Sequence, residues 1–199
     1  MKLEHYKLIL FSIGLIIVLI VASSAVSGLF SVPSGEQFSE LYLLGSKHTP
    51  EQYPYNIVPN QDYTLYLNIG NHVGSLAYYR VYVKFLNASD DLPDSSLGKA
   101  SPSQPVKEYR FLIMDEKTLE TPITFAIANT HISNEQLIVG NVQLNGEDVQ
   151  LNKVAAWNST RSEYLYKLLF ELWIYDSEST MFEFTNRFVY LPLNCTFAE

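Results

Sequence analysis

The sequence predicts an all-β protein: an antiparallel immunoglobulin-like β-sandwich ectodomain preceded by one N-terminal transmembrane helix. Three observations lead to this prediction. Residues 8–30 form an apolar run without a charged side chain. Beyond residue 37, apolar and polar residues alternate in several segments with the two-residue period of strands that have one wet face. Turn residues separate these segments, and none of them is a convincing soluble helix.

The apolar run is the first element. As a helix rising ~1.5 Å per residue it would reach about 35 Å, enough for a bilayer core of roughly 30 Å. Lys2 and Lys7 precede the run, whereas Glu36 and Glu40 follow it, so the positive-inside rule predicts a cytoplasmic N-terminus. We therefore predict a single-pass protein of the cell membrane, held in membrane lipid by a signal anchor. Its parts are a cytoplasmic tail (residues 1–7), the transmembrane helix (8–30), a linker (31–37) and an extracellular β-sandwich domain (38–199).

A cleaved signal peptide is the alternative interpretation of the same segment. It has a basic start, an apolar core and small residues at 22–28 where a peptidase could cut. The run is longer than the ~7–15 residues of a typical signal-peptide core, which favours the anchor. Both interpretations put the bulk of the chain outside the cell.

Charge and cysteine content exclude several classes of protein. The chain has 13 Lys and Arg against 21 Asp and Glu, a net charge of −8. A nucleic-acid-binding protein needs a basic surface, so we expect no nucleic-acid partner. The single cysteine, Cys195, excludes a disulfide framework and a Cys-based zinc site. We expect it to be buried and inert, with pairing between chains or reactivity as the alternatives.

The sequence pattern of the external part predicts a series of strands. In residues 62–70 and 78–87 every second residue is apolar, which predicts one face turned to a core. Residues 163–176 have a length that suits a helix, but their aromatic richness favours a strand. Asn145-Gly146 accepts the positive φ of a tight turn and predicts a hairpin. Further strands are predicted at 106–114, 121–128 and 182–190, the last with Phe182, Phe184, Phe188 and Tyr190 facing in.

Residues 87–105 are rich in Ser, Pro and Asp, and predict a projecting loop.

Several of these segments resemble a known family. They are FSELYLLG (38–45), the Tyr53-Pro54 pair, YYRVYVKFLN (78–87), LFELWIYD (169–176) and NRFVYLPLN (186–194). Over most of residues 38–194 the chain is similar to the external domain of an archaeal predicted-membrane-protein family, the domain of unknown function sixteen-sixteen. The resemblance implies an archaeal cell-envelope protein with a sandwich ectodomain and no assigned activity. Some members carry several spans before that domain, whereas this sequence has one.

Three Asn-x-Ser/Thr sequons lie in the external part, at Asn87, Asn158 and Asn194. Each sequon alone is weak evidence, but all three lie beyond the apolar run. Together they predict a glycosylated surface protein.

No pattern in the sequence indicates catalysis. The external histidines His48, His72 and His131 lack the spacing of a zinc site, and the loop cluster Asp90, Asp91 and Asp94 lacks that of a calcium loop. Nucleophile elbows, phosphate loops and dinucleotide-binding glycine patterns are absent. We therefore expect no enzyme, no metal and no cofactor.

Aromatic residues on nominally wet strand faces are the candidates for binding, since Tyr and Trp combine an apolar ring with a polar tip. Packing under the long loop or between the sheets is the alternative for them. The sequence thus predicts a binding or assembly module, an accessory subunit of a membrane or surface-layer complex with a protein partner in the envelope. A glycan-binding surface domain is the second hypothesis, and a surface hydrolase the third. The candidate residues are Tyr66, Tyr78, Tyr82, Trp173 and Tyr175.

Overall fold

The computed structural model describes residues 36–195 together with Lys7, Ile13 and Ile16. Most of the predicted tail, most of the predicted transmembrane helix and the greater part of the linker lie outside the described residues. Within the described part of the chain, no helix is both long and apolar enough to span a bilayer. The fold that follows belongs to the compact unit Phe38–Glu199.

Ten strands make up this unit. Their bounds are β1 Phe38–Leu44, β2 Asn56–Ile57, β3 Tyr63–His72, β4 Ala77–Asn87, β5 Lys107–Ile113, β6 Lys117–Ser133, β7 Gln136–Leu144, β8 Glu147–Ala156, β9 Leu165–Asp176 and β10 Met181–Cys195. They form two five-stranded sheets: sheet A in the order β1-β3-β6-β7-β8 and sheet B in the order β2-β10-β9-β4-β5. Neighbouring strands are antiparallel except β2 and β10, which are parallel. The prediction of an all-β sandwich is confirmed.

The core lies between the sheets and is built by the alternation that the sequence shows. In β3 the buried side chains are Leu65, Leu67 and Ile69, spaced two residues apart. The ambiguous segment 163–176 is a strand from Leu165 onward, because its alternate residues supply one continuous apolar face to the core. Inward-facing residues of β4 and β9 are Tyr79, Val81, Val83, Phe85, Tyr166, Leu168, Phe170 and Leu172.

The predicted hairpin at Asn145-Gly146 joins β7 to β8. Asn145 and Gly146 have φ angles of 48° and 81°. Both residues therefore adopt the left-handed conformation that a two-residue hairpin turn of this kind requires.

The predicted orientation of β10 is wrong. Residues facing one another across β9 and β10 share a face, and Phe188 lies opposite Glu171 and Tyr190 opposite Leu169. These partners lie on the face of β9 that points away from the core. Phe182 and Phe184 lie opposite Tyr175 and Trp173 on the same face, so all four aromatic residues turn outward. Leu191, Leu193 and Cys195 fill the core instead. An alternating pattern of large apolar residues did not identify the inner face, because both faces of this strand carry them.

The segment between β4 and β5 does not simply project. Pro93 and Ser101 are buried, and the Ser101 N–H donates to Oε1 of Glu171 on β9 over 2.8 Å. The loop therefore covers part of the outer face of sheet B. Its exposed tip is a turn between Asp94 and Lys99, whose backbones hydrogen-bond to each other over 2.8 and 3.0 Å.

Candidate functional site

The outer face of sheet B carries a contiguous group of six aromatic side chains, called here the aromatic surface. Strand register produces it: β9 and β10 put Trp173 opposite Phe184 and Tyr175 opposite Phe182, and β4 runs along the other side of β9. Four of the five aromatic residues that the sequence nominated are thereby brought together. The members of the aromatic surface are Tyr78, Tyr82, Trp173, Tyr175, Phe182 and Phe184.

The rings of the aromatic surface contact one another in edge and tilted arrangements. Phe182 has its ring centroid 5.2 Å from that of Tyr78 and 5.4 Å from that of Tyr175. Trp173 has its centroid 5.6 Å from both Tyr82 and Phe184. Such pairs contribute about 0.5–1.5 kcal/mol beyond their area burial, so the rings hold one another in place.

Arg80 connects the two halves of the aromatic surface. Its guanidinium carbon lies 3.8 Å from the Phe182 ring centroid, and its Nη1 donates to the Tyr82 hydroxyl over 2.6 Å. Its Nε lies 3.4 Å from a carboxylate oxygen of Glu108, so the positive charge has a partner on β5. Arg110 donates to the same carboxylate, which raises the pKa of the Arg110 guanidinium. The surface therefore combines preorganised rings with a neutralised cation.

The margin of the aromatic surface is apolar and open to solvent. Leu112 on β5, which lies opposite Tyr78, is 66% exposed. Tyr175 is also exposed, whereas the remaining rings are half-buried. Exposed apolar residues next to ordered aromatic rings are typical of interaction surfaces.

A buried ion pair supports the aromatic surface from one side. Lys84 Nζ lies 2.8 Å from Glu171 Oε2 and also donates to the Ser101 carbonyl over 2.6 Å. The Trp173 indole N–H reaches the same Glu171 oxygen at 3.4 Å. The loop that covers the ion pair is thereby linked to a ring of the aromatic surface.

Tyr66, the fifth nominated residue, lies apart from the others on sheet A. The His48 imidazole stacks on its ring at a centroid distance of 3.7 Å. His48 Nδ1 is also 2.7 Å from Oε1 of Glu120, which fixes the imidazole in that position. One face of the Tyr66 ring is therefore already covered within the domain.

Sequence reasoning missed Arg80, Phe182 and Phe184 as members of the surface. For the two phenylalanines, the short connection between β9 and β10 was a usable signal, because it predicts that these strands pair. Such pairing puts Phe182 and Phe184 beside Tyr175 and Trp173, and the sequence analysis had already assigned Tyr175 and Trp173 to the wet face. Arg80 carried no comparable signal, because only the pairing of β4 with β9 brings it against these rings.

A second concave site, not foreseen from the sequence, lies between the edges of β1 and β10. It is a pocket of about 420 Å³ with tyrosine walls and a largely apolar lining. The Tyr53 hydroxyl donates to the Leu43 carbonyl over 2.7 Å, and the Tyr55 hydroxyl donates to buried Glu163. The hydrogen bond to Glu163 raises the pKa of Tyr55. The tyrosines that line the pocket are Tyr42, Tyr53, Tyr55 and Tyr190.

The acidic loop cluster is occupied by structural contacts. Asp90 lies 2.6 Å from Lys153 Nζ, and Asp94 accepts hydrogen bonds from the Ser96 hydroxyl and N–H. The Ser96 hydroxyl is the main cause of a lowered pKa at Asp94. In the part of the chain that the structure describes, no group of three His, Cys, Asp or Glu side chains is arranged to hold a metal ion.

The three sequon asparagines have different surroundings. Asn158 is exposed in the β8–β9 loop, Asn87 is half-buried at the end of β4, and Asn194 is buried near the end of β10. The structure therefore separates three sites that the sequence treats alike.

The geometry defines a class of protein: a two-sheet β-sandwich with an ordered aromatic surface on the outer face of one sheet. The chain belongs to the family described as a domain of unknown function (DUF1616), which matches residues 32–138. This confirms the family resemblance, although the match ends in β7 and is shorter than the segments 38–194 that suggested it. No curated protein is significantly similar to the chain.

The solved structures that resemble this chain do so only weakly. A β-glucosidase from Listeria innocua in complex with gluconolactone is 7% identical with a TM-score of 0.37, over 80% of this chain and 16% of the glucosidase chain. The complex of Zinc 2-glycoprotein and prolactin inducible protein from human seminal plasma contains a chain that is 7% identical with a TM-score of 0.38, over 82% of this chain and 99% of that one. This chain therefore spans a small part of the glucosidase, and neither similarity indicates a function.

Proposed function

We propose that this chain is a non-catalytic binding or assembly module of the cell envelope that contacts its partner through the aromatic surface. The observation that carries the proposal is the contiguous set of rings around Arg80, bordered by the exposed side chain of Leu112. Tyr, Trp and Arg are the residue types that dominate the energetics of protein interfaces. A protein subunit of a membrane or surface-layer complex is the proposed partner.

The proposed setting is an archaeal cell envelope. The charge-free run at residues 8–30 supports a signal anchor in the membrane, with the N-terminus in the cytoplasm and the immunoglobulin-like ectodomain outside. The three sequons beyond that run support a glycosylated external domain. The net charge of −8 is consistent with a domain that stands away from anionic lipid headgroups and binds no nucleic acid.

The roles of the buried and paired carboxylates support a non-catalytic protein. Glu171 pairs with Lys84, Glu163 accepts from Tyr55, and Asp90 pairs with Lys153. Each of these carboxylates joins two parts of the sandwich, whereas a general acid or base needs a position that a substrate can reach.

Glycan binding is the second candidate function, favoured by the tyrosine-lined pocket between β1 and β10. Hydroxyl contacts hold Tyr53 and Tyr55, so their rings are preorganised as walls. Tyr42 and Tyr190 stand at about 40% exposure and offer ring faces on which a sugar could stack.

Purification from native membranes with and without changes in the aromatic surface tests the first candidate. The variant Tyr175→Ser with Leu112→Ser removes two exposed side chains of the surface and its margin. Ile132→Ser, an exposed position on sheet A, is the matched control. We expect the double variant to weaken retention of the co-purifying partner by about tenfold or more, equal to about 1.4 kcal/mol.

Two results would count against this function. One is a double variant that keeps its partner as well as the wild type does. The other is a comparable loss with Ile132→Ser. Binding of envelope oligosaccharides that is lost in Tyr190→Ala but kept in the double variant would favour the glycan-binding function instead.

A further inference from the structure

We infer that Asn158, alone among the three sequon asparagines, is the site at which the folded domain accepts an N-linked glycan. The inference deepens the proposed external location and rests on it for its biological setting. The geometry that carries it is independent of location, because it concerns which amide nitrogen a glycosyl donor can reach.

Asn158 lies in a short loop with a fixed backbone. Its N–H donates to the Glu163 carbonyl over 2.9 Å, and the Glu163 N–H returns a bond of 3.3 Å. The side-chain Oδ1 accepts from the N–H groups of Thr160 and Arg161 at 3.1 and 3.3 Å. Among the described residues, nothing bonds to Asn158 Nδ2 or to the Thr160 hydroxyl. The oxygen of the amide is thus anchored while the reactive nitrogen and the sequon hydroxyl remain exposed.

Asn194 is arranged in the opposite way. It is 7% exposed, and its Nδ2 donates to Asn56 Oδ1 over 3.0 Å. Its Oδ1 accepts from the Tyr164 N–H at 3.2 Å. Both amide atoms therefore join β10 to β2 and to the segment before β9. A glycan on Asn194 Nδ2 would require these contacts to open, and a buried position has no room for a bulky sugar.

Asn87 is intermediate in exposure but is fully engaged. Its Nδ2 donates to the Val154 carbonyl of β8 over 2.7 Å, which joins the two sheets. Its Oδ1 accepts from the Ser89 N–H, the Ser89 hydroxyl and the Asp90 N–H. The sequon hydroxyl is thus turned onto the asparagine itself, and the amide nitrogen faces protein rather than solvent.

The modification is a substitution at a sugar carbon. Nδ2 of Asn158 attacks the anomeric carbon of an oligosaccharide carried on a lipid pyrophosphate. A C–N bond forms as the bond between that carbon and the phosphate oxygen breaks, and the lipid pyrophosphate leaves with the electron pair. A base of the transferase takes one proton from Nδ2.

The test is glycosylation of the purified, folded full-length chain in detergent. The reagents are a single-subunit oligosaccharyltransferase that accepts Asn-x-Ser/Thr and a lipid-pyrophosphate-linked oligosaccharide, with intact mass as the readout. Synthetic peptides spanning each sequon are the control, and we expect the enzyme to glycosylate all three because no fold constrains them. We expect one glycan on the folded wild-type chain and on Asn87→Gln, and none on Asn158→Gln.

Transfer to Asn87 or Asn194 in the folded chain would overturn the inference. So would an unmodified folded chain under conditions in which the Asn158 peptide is glycosylated. If the chain accepts one glycan at Asn158 in this assay but carries none when isolated from its native cells, the inference stands and the proposed glycosylation of an external domain is contradicted. Circular dichroism of each variant confirms that the fold is intact before the assay.

Discussion

Lys84 and Glu171 form an ion pair on the outer face of sheet B, with 2.8 Å between Nζ and Oε2 and side chains that are 5% and 0% exposed. Each partner has a further bond to the covering loop, Lys84 to the carbonyl and Glu171 to the N–H of Ser101. A charge pair removed from water is retained only where such additional bonds satisfy it. The loop between β4 and β5 is therefore part of the packed structure of sheet B.

Breaking this pair from one side should destabilise the domain strongly. Lys84→Met leaves the Glu171 carboxylate buried without its cation, and we expect the free energy of unfolding to fall by about 3–5 kcal/mol. The double variant Lys84→Met with Glu171→Leu removes both charges and should recover most of that loss. Urea unfolding followed by tryptophan fluorescence measures all three proteins. A single variant within about 1 kcal/mol of the wild type would contradict the burial of this pair.

The covering loop should show local protection from hydrogen exchange. The Ser101 N–H is buried and bonded to Glu171, whereas Ser95 at the loop tip is exposed. We expect the Ser101 amide to exchange at least about 100-fold more slowly than that of Ser95 after correction for intrinsic rates, equal to about 2.7 kcal/mol of opening free energy. Nuclear magnetic resonance with residue resolution makes the comparison. Equal protection factors would mean that the loop is detached in solution.

The β7–β8 turn should depend on Asn145 for more than its backbone conformation. Asn145 Oδ1 accepts from the Thr124 N–H over 2.7 Å, which ties the turn to β6. Asn145→Gly keeps the turn conformation accessible but removes this bond, and we expect a loss of about 1 kcal/mol. Gly146→Ala serves as the comparison for a purely conformational effect. It puts a Cβ on a residue at φ 81°, where an L side chain is strained, but no neighbouring atom lies within 4 Å of that Cβ. An unchanged Tm for Asn145→Gly would show that the bond to Thr124 contributes nothing.

Cys195 should be inert in the native protein and should contribute to alkaline unfolding. Burial raises the pKa of its thiol from an ordinary 9.0 to about 12. Below pH 9 the thiol is protonated in both the folded and the unfolded protein, so its burial contributes fully to stability. As the pH rises toward 12 the thiol of the unfolded protein ionises first, and this contribution to stability is lost. Burial also raises the pKa of Tyr109 to about 12, so Cys195→Ala should weaken the loss of stability in this range without abolishing it.

Two measurements check the cysteine prediction. A thiol reagent at pH 8 should label the protein only after urea unfolding, and urea midpoints between pH 8 and 11 should fall less steeply for Cys195→Ala than for the wild type. Rapid labelling of the folded chain would show that the thiol is exposed.

Much of the fold could be predicted because its determinants are local. Alternation at Leu65, Leu67 and Ile69 identified the inner face of β3, since the polar residues between them leave one apolar face. The Asn145-Gly146 pair identified the hairpin, because few dipeptides accept two positive φ angles. These features depend on neighbours in sequence and needed no knowledge of the partner strands.

The orientation of β10 could not be predicted in this way. Phe182 and Phe184 alternate with polar residues and so suggested an inner face, yet the pairing with Tyr175 and Trp173 turns them outward. A strand with apolar residues on both faces has no local signal for direction, so its neighbours decide it. The tyrosine-lined pocket depends in the same way on bringing the edge of β1 beside β10.

The sequence by itself therefore determined the strands, their turns and a supply of Tyr and Trp at wet positions, because backbone periodicity and turn chemistry act over a few residues. Only the tertiary structure decided which of those rings meet. Tyr78, Trp173 and Phe182 come from three strands, and the register of sheet B gathers them around Arg80 while leaving Tyr66 under His48 on the other sheet. Strand pairing joins residues far apart in the chain, so the local pattern of one strand does not say which distant strand lies beside it.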